Sequence, residues 1–551
     1  MGLKGPAFKN KRGLSGSIAV LLWLAGPAAS QAEALPKVTV IATRTAAAPI
    51  DIAASVSRIG ADDIQDGKLQ VNISESLGAV QALLARDRQN YARDVQISVR
   101  GFGARSTFAI RGVHRYVDGI PATLPDGQGQ ISNADLGSAE RIEVLRGAVS
   151  ALHGNSAGGV IQLFTEDGQG PPTLSASSAA DSNGIWREAA KLVGASGAGG
   201  YVLSVGQFNS DGYQNFIGTT LGVQGALRRD EQNDVRANDQ YWQASWQFAK
   251  HWKLDLGLRH SVVNFTSTDA YIVGANKDDG GSVRYSATLP VLGLLFAVNG
   301  QLHLYATAGR GFETPTLNEL AYCPDGTGGL NFGLQAARSR SVEAGVKLRP
   351  KGLGEFSAAA FQTRTDHEIV TLTNSGSRST HQNAGGTERT GLELGWTVRW
   401  SEALSRQAEL TLLNAPYADA FKTSTASPCT APNVAMAAGN QMPGLARGSY
   451  FAALNWAPAA GWRAGLETQA VSHVAVNDVN SDAAPRYVVA NASLGYATTV
   501  GSMDLSAFAR AANLFDRRYA GSVIVNEGNS RFFDPAPGRN WLAGLNASAS
   551  F

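Results

Sequence analysis

The charged residues best placed to do chemistry gather between residues 100 and 146. Arg100, Arg141 and Arg146 stand with Glu140 and Glu143, types that suit ordinary buried ion pairing. Such pairs hold a domain in place. Being polar and hydrated, they separate at less cost than apolar packing. Covalent chemistry has no support in the sequence. There is no H-x-x-x-H pair, no G-x-S-x-G with triad context and no Walker A loop. His153 has no partner at ligand spacing, so no metal and no cofactor are expected. Cys323 and Cys429 lie far apart in sequence, and a disulfide or two unpaired loop thiols are equally open.

The elements that must position these residues are strands in an exported chain. Residues 1–34 read as a secretory leader. Lys4, Lys9, Lys11 and Arg12 are its basic region, Leu14 to Ala25 its apolar core, and Ala32-Glu33-Ala34 its cleavage site. The apolar run is too short to span a bilayer, which takes ~20 residues. Removing the four cations and Glu33 turns the formal charge of +2 into −1, so no basic surplus points to nucleic acid. Charged residues are 17% of the chain, against ~25% in ordinary soluble domains. Past the leader no apolar stretch reaches membrane-helix length. The nearest, Leu289 to Val298, is short and holds Pro290. A membrane-bound chain without spanning helices must be a closed barrel or lie on the surface.

Patterning past residue 170 predicts barrel strands. Trp252, Leu254, Leu256 and Leu258 alternate with Lys253, Asp255, Gly257 and Arg259. Trp242, Ala244, Trp246 and Phe248 alternate with Gln243, Ser245 and Gln247. Met503, Leu505, Ala507 and Ala509 alternate with Asp504, Ser506 and Arg510, with Phe508 out of pattern. The final strand sets Trp541, Ala543, Leu545, Ala547, Ala549 and Phe551 against Leu542, Gly544, Asn546, Ser548 and Ser550. Period-two alternation over ~10 residues with aromatics near the ends suits one lipid-facing side and one polar lumen. A soluble antiparallel sandwich alternates in the same way. The leader and the terminal Phe551 favour the barrel.

Four motifs follow in order. They are Ser98-Val99-Arg100-Gly101-Phe102, Tyr116-Val117-Asp118-Gly119-Ile120-Pro121, Glu140-Arg141-Ile142-Glu143-Val144-Leu145-Arg146-Gly147 and Gly154-Asn155-Ser156-Ala157-Gly158-Gly159-Val160-Ile161. This series resembles the plug of TonB-dependent outer-membrane transporters. Later segments are similar to the family's barrel: Gly309-Arg310-Gly311-Phe312-Glu313-Thr314-Pro315, Glu343 with Gly345, Gly391-Leu392-Glu393, Met442-Pro443-Gly444 and Asn513-Leu514-Phe515. Two departures are Ala148, where the family has Pro, and His153, where it has Tyr. The resemblance implies an all-β transmembrane antiparallel β-barrel with an N-terminal α+β plug. It also implies energised uptake across a Gram-negative outer membrane, with no enzyme activity.

On this reading the chain divides into a leader (1–34), a TonB-box segment (35–49), a plug (50–168) and a barrel (169–551). Val38, Thr39, Val40 and Ile41 resemble the box, whose β-branched residues can add a strand to a partner's sheet edge; they could equally be the first plug strand. Asp51 to Gly60 reads as a strand. Ala61-Asp62-Asp63-Ile64 starts a helix. Asn72 or Ser74 caps another, with Glu75 in its first turn. Arg100, Glu140, Arg141, Glu143 and Arg146 resemble the family's plug–barrel ionic network. The partners implied are the TonB–ExbB–ExbD complex, outer-membrane lipid and lipopolysaccharide, a small anionic ligand, and the barrel-assembly machinery that reads a terminal aromatic such as Phe551.

Within the family, Arg100 to Thr107, Asp118 to Gln130 and Gly521 to Glu527 resemble transporters of pyrroloquinoline quinone. A small tricarboxylate quinone needs Arg and amide donors. The resemblance puts Arg105, Ser106, Thr107, Gln128 and Gln130 on loops at the plug apex, where they bind that ligand or only pack the plug. A ferric-siderophore receptor is the alternative within transport. The family has 22 strands. Between residues 216 and 226 on the order of a hundred residues of family barrel are missing, which leaves about 16 strands. The expected outcomes are an open seam beside residues 210–230 or a small barrel with its plug displaced. Either points to a passive or non-transporting pore as the reading of a different class.

Overall fold

The computed structural model describes residues 47–88, 95–105, 110–197, 199–211, 230–274, 277–375 and 378–551. The leader, Val38 to Ile41, Ser106 and Thr107 lie outside the described residues.

The N-terminal unit is built on a five-stranded sheet. Its order is Ser55–Gly60, Ala139–Arg146, Gly159–Thr165, Val113–Val117 and Ile120–Pro121. One pair, Val113–Val117 with Gly159–Thr165, is parallel. Ile59, Ile64, Leu77, Val99, Ile142, Val144, Ile161 and Leu163 form its core. The helices Ala61–Gln65 and Ser74–Leu77 fall where the sequence places them. Ile73 holds the cap position, while the expected Asn72 side chain accepts from the Ser74 N–H at 3.2 Å. Glu75 folds back and accepts hydrogen bonds from the backbone N–H of Gln70, Val71 and Asn72 at 3.0, 2.9 and 2.8 Å. The first strand also starts later than expected. Residues Pro49–Asp51 form a 3-10 turn and pairing begins at Ser55, because the carbonyls before it are taken by side chains of the surrounding sheet.

That surrounding sheet has 16 antiparallel strands and wraps the N-terminal unit as a plug. Side chains reach the plug from many parts of the wall. Lys191 meets Glu166, Arg259 donates to the Leu152 carbonyl at 2.7 Å, and Thr411 accepts from the Ala82 N–H at 2.7 Å. The predicted alternation holds. In Trp252–Asp269, Arg259, Ser261, Val263 and Phe265 turn inward and are buried, while Leu258 faces out. Phe508, out of pattern in the sequence, pairs in register with Gly544 and lays its ring over that glycine. A Cβ at Gly544 would lie 2.5 Å from the ring. The aromatic thus fills the space that the glycine leaves.

Connections are short at one end of the sheet (250–251, 298–301, 457–460, 501–502) and long at the other (314–336, 367–386, 415–447, 513–539). Trp252 stacks on Phe296 and Phe356 on Trp396 near the short-turn end. Trp456, Trp462 and Tyr496 continue this belt, as at a membrane interface. Cys323 and Cys429 are both free thiols. Their loops touch, with the Cys429 N–H donating to the Pro324 carbonyl at 2.8 Å.

The sheet order runs from Gly199–Ser210 at one edge to Glu231–Ala249 at the other. Among the described residues no ladder joins these two strands. The adjacent residues Tyr241 and Trp242 face opposite sides of their strand, yet they are 54% and 56% exposed. The inner side of that edge therefore lacks the packing that buries its neighbour strand.

Candidate functional site

Two polar centres tie the plug to the wall. The deeper one surrounds Arg100, held at a positive φ of 51° in the turn before Gly101. Its guanidinium meets Glu343 at 2.7 Å and Glu393 at 2.6 Å. Arg146 joins Glu393 at 3.2 Å and donates to Gln81 at 2.7 Å and Ser57 at 2.8 Å. The other Glu343 oxygen accepts from Ser55 and Tyr305, each at 2.6 Å. All four carboxylate oxygens therefore have donors, and two cations balance two anions. That balance is what makes burial of the group tolerable. The wall prepares the site: Gly391 leaves room for the Phe361 ring, and Arg100 lies 4.1 Å above that ring.

The expected five-residue network divides. Arg100 and Arg146 pair across the boundary. Arg141 pairs with Glu140 and, at 2.8 Å, with Glu143, and it lies 3.9 Å over Phe164. These contacts stay within the plug sheet: both carboxylates share the strand of Arg141, and Phe164 stands on the neighbouring strand. The separation follows from position, since Arg146 ends the strand Ala139–Arg146 and Glu140 and Arg141 stand at its start.

The second centre lies at the long-loop end. Arg105 meets Glu368 at 2.7 Å, donates to the Ile369 carbonyl, and reaches the Tyr417 hydroxyl at 3.4 Å. Glu368 also takes Arg389 at 2.9 Å, and Arg389 lies 4.1 Å over Phe102. Arg111 bridges Glu319 and, at 3.3 Å, Glu313. Glu319 has a second duty, closing a capping box with Thr316 on the helix Leu317–Leu320. Burial pushes Glu368 up, but Arg389 and then Arg105 outweigh it and hold the carboxyl at about 2. Burial, and then Asp478, push the Tyr417 hydroxyl well above its ordinary value. Burial lowers His381, so its ring is neutral near pH 7.

The predicted ligand residues are only partly brought together. Arg105 lines a cavity with Gly101, Arg111, Glu313, Glu368 and Arg389, of about 30 Å³, room for one or two waters. Among the described residues, Glu313 Oε1, His381 Nδ1 and Arg389 Nε around it have no hydrogen-bond partner. Gln128 is buried on another loop and accepts from Asn318 at 2.9 Å. Gln130 is exposed on the same loop. Sequence reasoning missed Arg111, Arg389, Glu368, Tyr417 and Asp478. Glu343 and Glu393 stood in motifs without a role. For Glu343 a signal existed, a lone carboxylate between the outward-facing Val342 and Ala344 on an alternating strand.

The chain matches the family model described as TonB dependent receptor-like, beta-barrel, over residues 86–514. It is similar in fold to the ferric citrate transporter FecA in its unliganded form, with a TM-score of 0.70 at 15% identity over 91% of this chain and 98% of that one. The siderophore receptor PiuA from Acinetobacter baumannii gives a TM-score of 0.66 at 13% identity, covering 91% and 97%. The ferric yersiniabactin uptake receptor FyuA from Yersinia pestis gives 0.65 at 15%, covering 91% and 98%.

Proposed function

This chain belongs to the TonB-dependent receptor family, and on that premise we propose that it imports a ferric siderophore or related ferric chelate. Members of the family are outer-membrane transporters, not enzymes. They bind small ligands and work with TonB–ExbB–ExbD. The observation that carries the ligand class is the convergence of Arg105, Arg111 and Arg389 beneath the long loops. Each meets a loop or wall carboxylate, with Arg105 and Arg389 sharing Glu368. An oxygen-rich anionic chelate can replace those carboxylates as the partner of the arginines. The ferric citrate, ferric yersiniabactin and siderophore neighbours support the same class.

One observation favours pyrroloquinoline quinone as a second reading. Asn526, from the Gly521 to Glu527 segment, lines the same cavity as Arg105. Two segments that resemble transporters of this quinone thus meet at one place. Calorimetry on refolded protein, with ferric citrate, a panel of ferric siderophores and the quinone, separates the readings. Tight binding of a ferric chelate supports the first. Binding of the quinone alone overturns it in favour of the second.

The proposal extends to parts outside the two centres. Residues 1–34 act as leader, and Val38 to Ile41 contact TonB. Lipid and lipopolysaccharide surround the outer face. Among the described residues no ladder joins Gly199–Ser210 to Glu231–Ala249, which supports the reading that family strands are missing between them and keeps a passive pore as the competing outcome.

A further inference from the structure

The segment that leads from the proposed box into the plug is gripped by its backbone. Lys347 Nζ, buried on the inner face of the strand Ala337–Leu348, donates to the carbonyls of Pro49 at 2.6 Å, Ile52 at 2.6 Å and Ala54 at 2.7 Å. His303 Nδ1 sits 2.9 Å from the Ile50 carbonyl, which fixes the ring as the donor there. Lys253 donates to the Asp51 carbonyl at 3.2 Å. Of the six carbonyls from Pro49 to Ala54, only that of Ala53 is absent from this set. Ala53 packs instead in a small apolar cluster with Leu295 and Tyr305. An ammonium has three donors, and Lys347 spends all of them on one short stretch of chain.

The grip is continuous with the Arg100 centre. The next residue, Ser55, donates to Glu343 at 2.6 Å and accepts from Arg100 at 3.2 Å. Withdrawing the segment toward its N-terminus would therefore break the Lys347 contacts first. It would then pull Ser55 away from the Arg100–Glu343 pair.

We propose that Lys347, with His303, is a positioning residue for transport. It clasps the backbone of Pro49–Ala54, sets the force at which the plug begins to leave the wall, and makes release of Ser55 from Arg100 and Glu343 the second step. Because the acceptors are backbone carbonyls, the clasp depends on the wall side chains and little on the side chains of residues 49–54. The inference rests on the reading that force enters ahead of Ala47.

Single-molecule pulling on the N-terminus of the refolded protein tests it without TonB, box or ligand. Failure here is thus separable from failure of the transport reading. Lys347→Met should lose the earliest force peak while later plug ruptures and ligand affinity stay as in wild type, and Lys347→Arg should restore that peak in part. His303→Gln, a milder change, should lower the same peak if Lys347→Met does not refold. An unchanged first peak in the variant that folds would overturn the proposal. So would an equal fall in every peak, which is what general destabilisation predicts.

Discussion

Arg105 of the plug and Glu368 of the loop after Glu355–Asp366 meet at 2.7 Å. Arg389 holds the same carboxylate from the wall, at 2.9 Å. One acidic side chain therefore locks the plug apex to the loops. A ligand that claims Arg105 must compete with it.

The lock has a defined pH dependence. Glu368 is held at about 2, below its ordinary 4.5. A depressed carboxylate contributes stability above its unfolded value and loses it as pH falls through the folded one. The stability gap between wild type and Glu368→Gln should be wide near neutral pH. It should close between about 4.5 and about 2. Thermal melts across that range check this. A gap that is constant with pH would remove Glu368 from the lock.

Loss of Arg105 acts on ligand and loop together. Arg105→Ala should weaken binding of the anionic ligand by ~1–3 kcal/mol, the worth of a charge-assisted contact. Glu368→Gln should strengthen it, because the competing carboxylate is gone. Calorimetry on both variants reads the two signs. Weakening in both would mean that Glu368 serves the ligand rather than competing with it.

The deeper centre should tolerate little. Arg100→Met leaves Glu343 and Glu393 buried, with Arg146 as their remaining cation in the centre. Breaking a buried pair of this kind costs about 3–5 kcal/mol. Lys at position 100 should recover only part of it, since one ammonium cannot reproduce the planar fork that spans two carboxylates. Urea unfolding in detergent checks the order wild type, Arg100→Lys, Arg100→Met.

The ends of the sheet order predict uneven protection. Among the described residues Gly199–Ser210 and Glu231–Ala249 each have one ladder neighbour in this sheet, and Ala337–Leu348 has two. Exposed amides of Gly199–Ser210 and Glu231–Ala249 should exchange hydrogen faster than those of Ala337–Leu348. Exchange followed by mass spectrometry reads this directly. Uniform protection would show that the two edges pair with each other or are covered.

Much of this architecture was legible in the sequence because its signals are local. Period two set Leu258 and Arg259 on opposite faces of one strand. What was illegible lies across long separations. Arg105 and Glu368 are 263 positions apart, on loops that have no period of their own. The contacts of Lys347 end on carbonyls, which every residue carries, so no side-chain pattern announces them. Phe508 broke the alternation because it answers Gly544 on the next strand, a demand that its own strand does not show. The Glu140–Arg141–Glu143 trio was grouped with Arg100 by motif. Only the position along one strand separates it from the plug–wall contacts.

Energised uptake through the N-terminal segment is the central claim, and a proline at Val40 tests it most directly. Proline removes the N–H that strand addition requires. Cells that make the Val40→Pro chain should bind labelled ferric chelate as tightly as cells with the unaltered chain, and should accumulate none of it. Undiminished, proton-motive-force-dependent accumulation by the proline variant would contradict the account.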